Sequence, residues 1–89
     1  MNAKPLPEIH VDWNDNFGAN CIALDSDGSQ LDIREQGIVL REGLRVRLYG
    51  DASEAEAVIR PFELNQHTFF VAEIIEGTFR EVQRNPLKP

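Results

Sequence analysis

The sequence predicts an all-β protein of mainly antiparallel strands, either a small barrel or a curled sheet of six to seven short strands. Three observations predict this class. The chain of 89 residues is long enough for one hydrophobic core. Short apolar stretches follow the two-residue period of strands, and turns rich in glycine, asparagine and aspartate separate them. We therefore expect a single domain over residues 8–83, with flexible tails at 1–7 and 84–89.

The first half of the chain contains four short stretches in which apolar residues predict strands. In the first of them, Ile9, Val11 and Trp13 alternate with polar neighbours. The second and third flank the turn formers at residues 25–28, which predicts a hairpin. The four stretches are 9–13, 20–24, 30–33 and 38–40.

The register of the next hairpin can be worked out from residues 44–59. If residues 50–53 form the turn, every pair on the inner face is apolar, for example Leu48 with Ala55. A shift by one residue would set these apolar side chains opposite glutamates, so the pattern specifies one pairing. A short helix over residues 53–60 is the alternative, because apolar residues there also follow helical spacing and a serine precedes them.

A second turn, centred on Asn65, predicts that residues 58–63 pair with residues 68–74. The inner face is again apolar, but the outer face is apolar as well where Phe62 comes opposite Phe69. Exposed apolar surface of this kind indicates a site for a partner, so we predict an interaction patch here. The alternative is that the strand carrying Trp13 covers these residues within the monomer. The predicted patch consists of Tyr49, Val58, Arg60, Phe62, Phe69 and Val71.

No set of residues in the sequence predicts catalysis or a metal site. His10, His67 and Cys21 lie far apart in the chain and lack the spacing of metal ligands. The serines lie in predicted turns, and there is no glycine-rich phosphate loop. Residues 25–29 resemble the start of a calcium loop, but the glycine comes too early and the distal glutamate is missing. We expect a protein that is not an enzyme and needs no metal or cofactor.

The distribution of charge favours some partners over others. A net charge of −6 argues against general nucleic-acid binding and favours a basic partner. Four arginines nevertheless lie close together in the sequence, and their guanidinium groups suit a small anionic ligand. The alternative is that Arg45 and Arg47 occupy the solvated face of a strand, where Glu56 and Glu54 neutralise them. The candidate anion-binding residues are Arg34, Arg41, Arg45 and Arg47.

Residues 32–40 and the apolar strand 46–48 resemble the strand segment of PilZ domains, small β-barrels whose members often bind cyclic di-GMP. Asp32 and Gly37 match the pattern of that family. Arg34 stands where the family has a serine, and the paired arginines expected upstream of the barrel are absent from the sequence. The resemblance implies a PilZ-like barrel and a ligand of the cyclic dinucleotide type. An SH3-like barrel fits the number of strands equally well.

These observations favour a non-catalytic module that binds another protein or itself, in the latter case as a homodimer. A sensor of a cyclic-dinucleotide-type ligand and a small acidic inhibitor of the immunity type are the alternatives. The single cysteine cannot form an intramolecular disulfide, which is typical of a reducing compartment. No stretch has the length and composition of a signal peptide or a membrane-spanning helix, so we expect a cytoplasmic protein without membrane association.

Overall fold

A computed structural model describes residues 6–16, 18 and 20–82. These residues form six strands and one helix: β1 (Glu8–His10), β2 (Cys21–Ala23), α1 (Asp27–Gln36), β3 (Arg45–Gly50), β4 (Ser53–Leu64), β5 (His67–Ile74) and β6 (Arg80–Glu81). The strands form one mixed sheet in the order β1-β3-β4-β5-β2, and β6 pairs with the start of β4. The predicted mainly-β class is confirmed. The sheet is not closed into a barrel, so the curled open sheet is the predicted form that is observed.

Strands β3, β4 and β5 form the predicted meander in the predicted register. Leu48 pairs with Ala55, and Phe62 pairs with Phe69. Residues 53–60 are therefore a strand, and the helical alternative is wrong. The alternation of apolar residues prevails here over the helix propensity of alanine and glutamate, because both neighbouring strands bury the same face.

Both turns of the meander have the backbone of type I′ hairpins. The central residues Asp51 and Ala52 have φ angles of 48° and 60°, and Asn65 and Gln66 have φ angles of 52° and 67°. Positive φ is unfavourable for alanine, so the paired strands rather than local preference hold Ala52 in this conformation.

Helix α1 replaces the strand predicted at residues 30–33 and the hairpin predicted with it. Ser26 is the N-cap, and its side-chain oxygen accepts a hydrogen bond of 3.2 Å from the backbone N–H three residues later. Gly37 ends the helix in the left-handed conformation with a φ angle of 64°. The residues that resemble a hairpin turn are thus a helix start, because a serine before a polar first turn serves either structure.

Residues 38–40, predicted as a strand, lie in a loop that leads from α1 to β3. The Ile38 N–H completes the helix cap by donating to the Ile33 carbonyl at 2.9 Å. Ile38 and Leu40 are half-buried against the core, which explains why the stretch is apolar without being a strand.

Strand β1 runs parallel to β3 in a fold that the sequence predicts to be mainly antiparallel. The Pro7 carbonyl accepts a hydrogen bond from the Arg47 N–H at 2.8 Å, and Ile9 lies beside Leu48. Parallel neighbours need a long crossover, which here contains β2 and α1. Of the predicted tails, residues 1–5 and 84–89 lie outside the part of the chain that the structure describes.

Side chains of α1, instead of another strand, cover the outer edge of β1. The Gln36 amide accepts from the Glu8 N–H at 3.2 Å and donates to the Glu8 carbonyl at 2.7 Å. The His10 N–H donates to Asp32 at 2.8 Å, and the His10 carbonyl accepts from the Ser29 hydroxyl. Four backbone groups of an edge strand are thereby satisfied, which protects the edge from pairing with another chain.

The core lies on one face of the sheet, between the strands and half-buried residues of α1 and the following loop. Alternate side chains of the central strands point into it, and each large one contributes about 1.5–3 kcal/mol by its burial. The fully buried residues of the central strands include Val46, Leu48, Ala57, Ile59 and Ala72. The opposite face, which we call the outer face, carries most of the charged residues of these strands.

Trp13 lies at the end of the sheet where β4 begins. Its indole Nε1–H donates to the Gly50 carbonyl at 2.7 Å, and its ring meets the Phe79 ring edge-on with 5.2 Å between centroids. Position 50 requires glycine, because a Cβ there would lie 2.5 Å from the Val11 carbonyl oxygen.

Candidate functional site

The hairpin of β4 and β5 extends beyond its neighbours as a two-stranded ribbon. Pairing with β3 reaches Val58, and pairing with β2 reaches Val71. Pairing between β4 and β5 continues to Leu64 opposite His67. Within residues 6–16, 18 and 20–82, no strand lies along either outer edge of this extension. We call residues 60–70 the ribbon.

The structure brings together only part of the predicted patch. The Phe62 and Phe69 rings are half-buried, with 5.5 Å between their centroids, on the outer face of the ribbon. Arg60 lies beside them and donates to Glu73 at 2.9 Å. Val71 is only 1% exposed, so it belongs to the interior and offers no surface to a partner.

Tyr49 lies far from the rest of the predicted patch. It pairs with Glu54, which precedes Phe62 by eight residues along β4. At about 3.3 Å per residue, this separation is about 26 Å. Val58, the remaining member, is half-buried between the two ends. The strand leading to Trp13 pairs with β3 at the distant edge and does not cover the ribbon.

An apolar cleft of about 400 Å³ lies beside the ribbon. Leu24 is buried in its wall, whereas Leu40 and Phe70 are half-buried. We call it the Phe70 cleft. It is lined by Ala23, Leu24, Asp25, Gln30, Leu40, Phe69 and Phe70.

The start of α1 is fixed against the end of β2, and this junction shapes the cleft. The Gln30 side chain donates from Nε2 to the Leu24 carbonyl at 2.6 Å. The Ser26 cap begins the helix two residues after Leu24, so the chain turns away from β5 at this point. Strand β2 therefore ends at the pair Ala23–Val71, and no strand pairs with Phe70 on this side of β5.

The rim of the Phe70 cleft carries negative charge. Asp25 is exposed there, and its carboxyl lies close enough to that of Asp15 for the two to share a hydrogen bond when one is protonated. This hydrogen bond, together with desolvation and the charges of Asp25 and Asp12, raises the pKa of the Asp15 carboxyl. The carboxyl groups of Asp25, Asp15 and Asp12 lie near one another at this rim, so a cation placed beside Asp25 would be favoured.

The two edges of the ribbon differ. The Ile59 N–H donates to the Leu44 carbonyl at 2.8 Å, so Ile59 faces β3 and the alternate residues Pro61 and Glu63 face the same way. Pro61 has no N–H to offer and Glu63 is charged, two features that protect an edge strand.

On the other edge, the Ile74 N–H donates to the Asn20 carbonyl at 2.7 Å, so Ile74 faces β2. Phe70 and Thr68 follow at two-residue steps and turn their backbone groups to the same side. Neither of these residues is a proline or carries a charge. The β5 edge of the ribbon is therefore open at Thr68, directly beside the Phe70 cleft.

At the end of the sheet away from the ribbon, Tyr49, Asp32 and His10 form contacts that join α1 to the strands. The Tyr49 hydroxyl donates to Asp32 at 2.7 Å, and this hydrogen bond, with burial and nearby acids, raises the pKa of Tyr49 to about 12. The His10 ring meets the Tyr49 ring edge-on at 5.3 Å.

Burial and the charge of Glu73 raise the pKa of the Cys21 thiol, which keeps it in the unreactive protonated form.

Two of the candidate anion-binding arginines are ion-paired on the outer face. Arg45 pairs with Glu56, and Arg47 lies 3.8 Å from Glu8. Neutralisation by Glu56 agrees with the alternative interpretation of these arginines as a solvated strand face.

The other two arginines lie elsewhere. Arg34 is exposed in the last turn of α1, and Arg41 lines a cleft of about 450 Å³ near the end of that helix. Arg47 lines a different cleft, together with Glu54. The four side chains therefore do not converge on one ligand-sized site. The cleft at the helix end also faces the negative end of the helix dipole, which disfavours anions.

The sequence pattern does not reveal the Phe70 cleft. Its walls come from the missed helix and from the loop containing Leu40, which is assigned to a strand when the sequence alone is considered. The available signal is Ser26 with Gly37, a cap and a stop at the spacing of a short helix.

Within the described ranges, no group of three or more histidine, cysteine, aspartate or glutamate residues could hold a metal ion. The same residues contain no helix that is long and apolar enough to cross a membrane.

No family model, curated protein or solved structure matches this chain.

Proposed function

We propose that the chain is a non-catalytic protein-binding module whose contact region is the ribbon together with the Phe70 cleft. The difference between the two ribbon edges carries this proposal. Pro61 and Glu63 protect the β4 edge, whereas the β5 edge is open at Thr68 beside an apolar cleft. A ribbon that served only the fold would gain from protection on both edges, so the open edge is a candidate contact.

The charge of the chain supports a heterologous partner over a second copy. The net charge is −6, and Asp25 lies on the rim of the proposed contact region. Two copies would bring like charges together, whereas a basic partner would be attracted at long range. The homodimer is therefore the second choice.

Selection of random displayed peptides on the immobilised full chain tests the proposal. We expect enrichment of binders whose contacts, mapped by amide NMR shifts, lie in the ribbon and the Phe70 cleft. Leu64→Ser should weaken their binding, because Leu64 is 48% exposed at the ribbon tip. Leu31→Ser is the matched control, since Leu31 is 45% exposed on α1. A lack of enrichment, or shifts confined to other surfaces, would contradict the proposal.

A further inference from the structure

We infer that the partner is an extended peptide segment that adds a short strand to the β5 edge at Thr68. Its backbone pairs with Thr68, an apolar side chain enters the Phe70 cleft, and a neighbouring lysine or arginine lies beside Asp25. The inference rests on the proposed function and specifies the partner of that same site.

The backbone geometry supports strand addition. Ala23 pairs with Val71 at the last position of β2, after which the chain leaves for α1. The backbone groups of Phe70 and Thr68 point to the same side of β5, beyond the end of β2. A segment placed there would extend the sheet along the line of β2, and backbone hydrogen bonds of this kind supply sequence-independent affinity.

The side-chain environment supports an apolar residue in this segment. Successive side chains of an added strand point to opposite faces of the sheet, so every second one meets the cleft. The cleft volume of about 400 Å³ accommodates a large aliphatic or aromatic side chain against Leu40 and Phe70. Burial of such a side chain in a preformed pocket would select among segments that the backbone alone accepts.

The charge at the rim supports a basic neighbour to that apolar residue. Asp25 is exposed at the cleft, and its hydrogen-bonded partner Asp15 adds a second carboxyl group. A lysine or arginine there would relieve their repulsion, whereas a glutamate would increase it. Such a pair is partly hydrated, so its contribution is to specificity more than to affinity.

Three end-capped synthetic peptides test the inference on the full chain. Each alternates threonine and valine around one leucine, which is flanked by lysine in the first peptide, glutamine in the second and glutamate in the third. Fluorescence anisotropy should rank binding as lysine, then glutamine, then glutamate. Amide NMR should show slowed exchange of the Thr68 N–H and shifts at Phe70 and Leu40.

Two proline variants separate the ribbon edges. Thr68→Pro removes an outward N–H from the β5 edge and should weaken binding of the lysine peptide about fivefold to tenfold. Glu63→Pro is the matched control, because Glu63 lies opposite Thr68 and faces outward on the β4 edge. It should leave binding within about twofold. Asp25→Lys, a substitution at an exposed position, should invert the ranking of the lysine and glutamate peptides. It replaces Thr68→Pro as the test of the inference if Thr68→Pro disturbs folding.

The outcomes separate the inference from the proposed function. Randomly selected peptides that bind the ribbon but are indifferent to Thr68→Pro and Asp25→Lys would overturn the inference and leave the function standing. If neither selected nor designed peptides bind, both are overturned. Protection of the Thr68 N–H that depends on protein concentration without peptide would assign this edge to a second copy, which also overturns the inference.

Discussion

Substitution of Asp32 by alanine should destabilise the protein more than any other single loss of charge on α1. The Asp32 carboxylate accepts one hydrogen bond from the His10 N–H at 2.8 Å and another from the Tyr49 hydroxyl at 2.7 Å. Both donors belong to the sheet, so this one side chain joins the helix to β1 and to β3.

The expected loss follows from these two hydrogen bonds. A hydrogen bond to a charged acceptor contributes about 1.5–3 kcal/mol, but the His10 N–H is accessible to water and regains part of that by hydration. We therefore expect Asp32→Ala to lower the free energy of unfolding by about 2–3 kcal/mol. In a domain of this size, that loss corresponds to a Tm lower by about 10–20 °C.

Urea denaturation followed by circular dichroism measures the effect. Glu35→Ala is the control, because Glu35 is exposed on the same helix and its side chain forms no hydrogen bond or ion pair with any residue the structure describes. Tyr49→Phe should cost about 1 kcal/mol. The double variant should cost less than the sum of the two, because both remove the same hydrogen bond. An Asp32→Ala loss equal to that of Glu35→Ala would refute the role of Asp32 as the junction.

Three further predictions concern the helix cap at Gly37, the phenol of Tyr49 and the carboxyl group of Asp15. Gly37→Ala should lower the free energy of unfolding by about 1 kcal/mol, because φ is positive there while the space around it is open. Stability should fall as pH rises from about 10 towards 12, because the pKa of Tyr49 is raised to about 12 in the folded state. This contribution is complete below the unfolded pKa and is lost as pH passes through the folded pKa. Asp15→Asn should raise the Tm near neutral pH and lose that advantage in acid, where the raised pKa of Asp15 leaves the native carboxyl protonated.

Each of the three has its own measurement. Urea unfolding of Gly37→Ala with no loss of stability would contradict the left-handed cap. Absorbance titration of the single tyrosine, with Tyr49→Phe as the reference for the stability curve, would contradict the second prediction if the phenol ionised at its ordinary pKa. Calorimetry of Asp15→Asn at several pH values would contradict the third if the gain in Tm did not depend on pH.

The register of the meander could be predicted because its inner face is apolar throughout, whereas the outer face of β3 and of the first half of β4 is mostly polar. A shift would expose Leu48 and bury Glu56, and no other pairing of these residues satisfies both strands. The strand character of residues 53–60 follows from the same constraint. Long-range burial here outweighs local propensity, which is why the correct solution depends on considering the two turns together.

Helix α1 could not be predicted from hydrophobic periodicity because the face that it turns to β1 is polar and Ile33 alone of its residues packs against the core. Ser29, Asp32 and Gln36 recur at helical spacing, but they are hydrogen-bonding residues that bind the backbone of β1. A search for an apolar stripe overlooks such a helix. The Phe70 cleft cannot be predicted for the same reason, since α1 forms one of its walls.

The predicted patch includes one residue, Tyr49, that lies far from the others. Tyr49 shares the outer face with Phe62, but membership of a face places no limit on separation along a long strand. Alternation places Val71 on the outer face, yet it is buried, because alternation gives the direction of a side chain and not what covers it. Which segment covers a strand is a tertiary property, and the parallel placement of β1 was likewise not encoded in its own residues.

Pro61 limits how far assembly can proceed. A strand that joins the β5 side of the ribbon leaves the β4 side as it was, where Pro61 lacks an N–H and Glu63 adds a charge. Growth of the sheet in both directions from the ribbon is therefore disfavoured. Such two-sided growth is the hazard of an extended two-stranded arm with two open edges.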